Sequence, residues 1–62
     1  MIKLFAFDTN GKIPGQVKII YPAETSQEAF LNLLRDLPLT YGSEANSLVE
    51  QINTIPKELL LS

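Results

Sequence analysis

The sequence predicts an α+β fold in which an N-terminal β-hairpin packs on two α-helices, and three observations carry that expectation. An Asn10-Gly11 pair separates two runs rich in β-branched and aromatic residues. Residues 25–37 read as a capped amphipathic helix, and a second apolar stripe follows Gly42. The expected order is therefore ββαα over a single domain spanning residues 1–62, with residues 57–62 forming a short C-terminal turn or strand.

Residues 2–7 (IKLFAF) and 16–21 (QVKIIY) have the composition of strands. Between them, Asn-Gly tolerates the positive φ that a type I′ hairpin turn requires. Pro14-Gly15 marks a bulge or twist at the start of the second run, because proline cannot donate to the ladder and glycine weakens it. An unbroken register through that turn sets Leu4 opposite Val17 and Lys3 opposite Lys18. Ile2, Leu4, Ala6, Val17, Ile19 and Tyr21 then face the helices. The other face carries Phe5, Phe7, Ile20 and the two lysines. A bulge at Pro14-Gly15 would slip the register and undo that pairing.

Thr25 followed by Glu28 is a capping box, and Phe30, Leu33, Leu34 and Leu37 fall on one face behind it. Pro38 should end this helix by disfavouring the α region at Leu37. A turn-rich connection leads to Ser43, a cap for a second helix whose stripe is Ala45, Leu48, Val49, Ile52 and Ile55. Residues 57–61 (KELLL) are either one more helical turn or a strand, and three leucines so close together should cover the core or reach a neighbouring subunit.

At 62 residues and 45% hydrophobic content, with neither cysteine nor histidine, the chain has no disulfide and would have to build a zinc site from carboxylates alone. Such a core is marginal, so oligomerisation is expected. No leader-like or membrane-length apolar run is read, so a cytoplasmic protein off the membrane is expected. The net charge of −2 argues against nucleic acid as partner. That charge is unevenly spread: Lys3, Lys12 and Lys18 outweigh Asp8 in the first third, while Glu24, Glu28, Asp36, Glu44, Glu50 and Glu58 outweigh Arg35 and Lys57 in the rest.

No base stands near a nucleophile and no carboxylate pair is visible, so catalysis, a metal site and a cofactor are not expected. The expected role is non-catalytic binding by a small homo-oligomeric inhibitor or sequestering protein, of the kind phages and mobile elements encode. Two surfaces are candidates. Lys3, Phe5 and Lys18, joined by Tyr41 in an oligomer, offer two ammonium groups and a stacking platform to an anionic nucleotide. Phe7, Ile20 and Leu31 offer apolar anchors to a protein partner. The order strand, helix, turn, helix in QVKIIYP, TSQEAFLNLLRDL and GSEANSLVEQI also resembles the ribbon-helix-helix repressors over residues 16–55, with Leu48 and Val49 following Gly42 at that family's spacing. The resemblance implies, as the alternative function, a DNA-binding dimer reading the major groove through Gln16, Lys18 and Ile20. The strand that precedes the ribbon and the long interval from Pro22 to Gly42 depart from that pattern.

Overall fold

The computed structural model describes residues 1–59. Strands β1 (Lys3–Asp8) and β2 (Lys18–Ala23) are followed by helix α1 (Ser26–Tyr41), a 3-10 turn (Gly42–Glu44), helix α2 (Ala45–Gln51) and strand β3 (Lys57–Leu59). The strands form one antiparallel sheet in the order β2-β1-β3, so the last strand adds to the free edge of the first. The expected α+β class holds. Residues 57–59 take the strand alternative of the C-terminal expectation, and the arrangement differs from ββαα in that the helices run on as one nearly continuous segment over residues 26–51. The remaining part of the C-terminal expectation, on residues 60–62, lies outside the described residues.

The hairpin register differs from the expected one, and the cause is local. Asn10 and Gly11 both have positive φ (54° and 71°) and Lys12 N–H donates to the Thr9 carbonyl at 2.9 Å, as a type I′ turn requires. The chain does not return into a strand there. Ile13 is buried in the core, and a second turn follows in which Gln16 N–H donates to the Ile13 carbonyl at 3.2 Å. Pro14 and Gly15 (φ 81°) take the two central positions of that turn, and the positive φ is one that only glycine adopts cheaply, as in type II. Thr9 ties the two turns together, its hydroxyl donating to the Gln16 carbonyl at 2.6 Å and its backbone N–H to the Val17 carbonyl at 3.0 Å.

With this double turn Leu4 pairs with Pro22, five residues beyond Val17. An odd shift exchanges the faces of the sheet. Phe5 and Phe7, expected outside, therefore join the core with Ile19, Tyr21 and Ala23, and the Phe7 ring meets Tyr21 edge-on at 6.2 Å. Leu4, Ile20 and Lys18, by contrast, share the opposite face.

Helix α1 starts at Thr25 as expected: Thr25 Oγ1 accepts from Glu28 N–H at 3.1 Å, while the Glu28 carboxylate accepts from Glu24 N–H at 3.3 Å, one residue before the N-cap N–H that a full capping box would use. Its buried line is Ala29, Leu33 and Leu37, with Phe30 half-buried and Leu34 at the exposed margin. The helix runs through Pro38 to Tyr41 instead of stopping before it. A proline inside a helix costs about 3 kcal/mol, which burial of Leu37 and packing of Tyr41 against the core offset. The helix ends at Gly42, whose N–H bonds the Pro38 carbonyl. Ser43 lies within the 3-10 turn and makes no cap; α2 buries Ala45, the buried Ile52 has already left the helix in an extended conformation, and Ile55 is exposed.

The exit from α2 is fastened to the hairpin. Asn53 N–H donates to the Asp8 carbonyl at 2.9 Å and the Asn10 side chain donates to the Gln51 carbonyl at 3.2 Å, which directs residues 57–59 alongside β1. Among the described residues no helix is long and apolar enough to cross a membrane.

Candidate functional site

Among the described residues the helices cover one face of the sheet and nothing covers the other. On the open face, rows run across the strands: Pro22, Leu4 and Leu59 in the first, Ile20, Ala6 and Lys57 in the second, Lys18 and Asp8 in the third. Ala6 is buried although it faces outward, being the smallest side chain of the central strand, between Ile20 and Lys57. Ile20 stands at 49% exposure in the middle of β2. At the charged end a depression of about 240 Å³ is bordered by Lys18, Lys57, Asp8 and Asn53. The Asp8 carboxylate is engaged by the Asn10 N–H at 2.8 Å, and among the described residues no acidic group lies within ion-pair distance of Lys18 or Lys57.

This layout separates the residues expected to form an anion site. Lys3 lies on the helix-facing side of β1 and pairs with Glu58, Nζ to Oε1 at 3.3 Å, whereas Lys18 lies at the other end of the hairpin on the open face, opposite Asp8. Phe5 is buried and offers no stacking platform. Of the expected anchors, Phe7 is 0% exposed and belongs to the core. Ile20 and Leu31 are exposed but do not share a surface, Leu31 being on α1 and 59% exposed. For the ribbon-helix-helix resemblance, the strand that would form the ribbon is paired with β1 in the same chain, and Gln16 precedes it in the turn.

Tyr41 does line a pocket, though with different neighbours. A cleft of about 310 Å³ opens between the start of β2 and the last turns of α1, with Gln16, Ile19 and Tyr21 on one wall and Asp36, Thr40 and Tyr41 on the other. Among the described residues no lysine or arginine lines it. Burial, then the Asp36 charge and hydrogen bonding to that carboxylate, push Tyr21 up to about 12 from 10.0. The proton is thus held more tightly in the folded chain than in the unfolded one. Stability from this group is complete below about pH 10 and is lost as the pH rises toward 12. Thermal melts across that window should show a falling midpoint that Tyr21→Phe abolishes; an equal fall in the variant would assign the loss to other groups.

Nothing local in the sequence marks the Thr9 hydroxyl or the Tyr21–Asp36 juxtaposition, since each depends on the register that Pro14-Gly15 creates. By architecture the chain is a small α+β protein with a one-sided three-stranded sheet. No protein family, curated protein or solved structure matches it.

Proposed function

We propose that this chain is a non-catalytic cytoplasmic binding protein of the inhibitor or sequestering kind, and that it acts as a homodimer closed through the open faces of two sheets. The single observation that carries the reading is the open face itself, with Leu4, Pro22 and Leu59 in one row and a half-exposed Ile20 in the next. An apolar centre rimmed by both signs of charge, Asp8 beside Lys18 and Lys57, is complementary to a copy of itself, as a two-fold interface needs. The small single core supplies the driving force, since a chain of this size buries only about 60% of its unfolded surface unaided. The free edge of β2 is a poorer docking surface. Pro22 has no N–H to offer an incoming strand there.

Ile20→Lys is the test. The side chain points away from the core, so the variant should keep the wild-type circular dichroism spectrum while native mass spectrometry shifts from dimer to monomer. A variant that remains dimeric, or a wild-type protein that stays monomeric at high micromolar concentration, would remove the proposal.

A further inference from the structure

The cleft between β2 and the end of α1 has a chemistry of its own, unrelated to the open sheet face. Its polar groups are a carboxylate, two phenols, the Thr40 hydroxyl and the Gln16 amide. Ile19, Leu37 and Leu39 supply apolar wall. We infer that this cleft is a binding site for an organic cation, a primary ammonium or guanidinium on a short apolar stem, with Asp36 as its counter-ion and Tyr21 and Tyr41 as aromatic walls.

Each part of the cleft has a role in that recognition. Aromatic faces attract a cation within about 6 Å of the ring, more strongly when it is partly desolvated. Among the described residues Asp36 is the only charged residue lining the cleft, and beside the neighbouring Tyr21 phenol its ion-pair partner is weak: Arg35 Nε lies 3.3 Å from Oδ1 in a solvent-exposed pair, of the type worth about 0–1 kcal/mol. Arg35 does not line the cleft, so it acts as a competitor for the carboxylate from outside. The volume of about 310 Å³ suits a lysine- or arginine-sized group and not a nucleotide with its phosphates. Such a cation has two possible sources: a free alkyl amine, or a basic side chain on another protein.

The probe is butylammonium, titrated into isotope-labelled protein and followed by the backbone amides of Tyr21, Asp36, Thr40 and Tyr41, with butanol as the uncharged control. Saturable shifts at these positions with butylammonium and none with butanol are expected. Asp36→Asn should weaken binding at least tenfold, and Arg35→Gln, at an exposed site that leaves the fold intact, should tighten it severalfold. Putrescine and a capped lysine peptide separate the two sources: saturation by the diamine alone indicates a free amine, saturation by the peptide a protein side chain. Shifts that butanol reproduces, or no saturation in either the wild type or Arg35→Gln, would overturn the assignment.

Discussion

Phe7→Ala should remove most of the stability of this protein. Its ring is 0% exposed, sits between Ile19 across the ladder and the Tyr21 ring, and faces the helices from the central strand. Truncating a buried phenylalanine costs about 3–5 kcal/mol through lost transfer energy and the cavity left behind. A chain of 62 residues has roughly 3–9 kcal/mol in total, at the usual 0.05–0.15 per residue. Urea unfolding followed by circular dichroism should therefore show a midpoint near zero denaturant or no folded baseline. Were Phe7 a surface anchor, as the unbroken hairpin register implied, the midpoint would stay where it is and only complex formation would fail.

Thr9→Val should cost about 1–3 kcal/mol although it preserves shape, because it leaves the Gln16 carbonyl without its donor inside the folded connection. The side chain is 0% exposed and bridges the two turns that set the sheet register. Thr9→Ser keeps the hydroxyl and should recover most of the loss. Hydrogen exchange at the Lys12 and Gln16 amides should accelerate in the valine variant and remain slow in the serine variant, since these amides close the two turns. Equal exchange in both would mean that the buried methyl, not the hydrogen bond, holds the connection.

The pattern of what was readable follows from these two residues. The first helix is legible because its determinants are local: the Thr25 hydroxyl caps the Glu28 N–H, and Leu33 and Leu37 lie on its buried face. The Asn10-Gly11 turn was readable for the same reason, both residues adopting positive φ. Whatever depends on counting residues through the turn is not legible from local signals. Pro14-Gly15 is itself a turn signature, but whether it bulges a strand or makes a second turn is decided by Ile13 entering the core and Thr9 bridging behind it. That choice moved Phe5 and Phe7 inward and separated Lys3 from Lys18, and with them the expected anion site. Pro38 shows the same limit in a helix: its local preference for a stop is overridden by the burial of Leu37 and the packing of Tyr41. Ile20 and Leu31 remain exposed as expected, but on different surfaces.

The most direct test of the homodimer is an isotope-filtered NOE experiment on a mixture of labelled and unlabelled chains, which reports only contacts between copies. Methyl cross-peaks linking Ile20 and Leu4 of one copy to Leu59, Leu4 or Ile20 of the other are the expected result. Intermolecular peaks from Leu31 and Leu39 on α1 instead, or none at concentrations where the protein is dimeric by mass, would contradict it and assign the interface elsewhere.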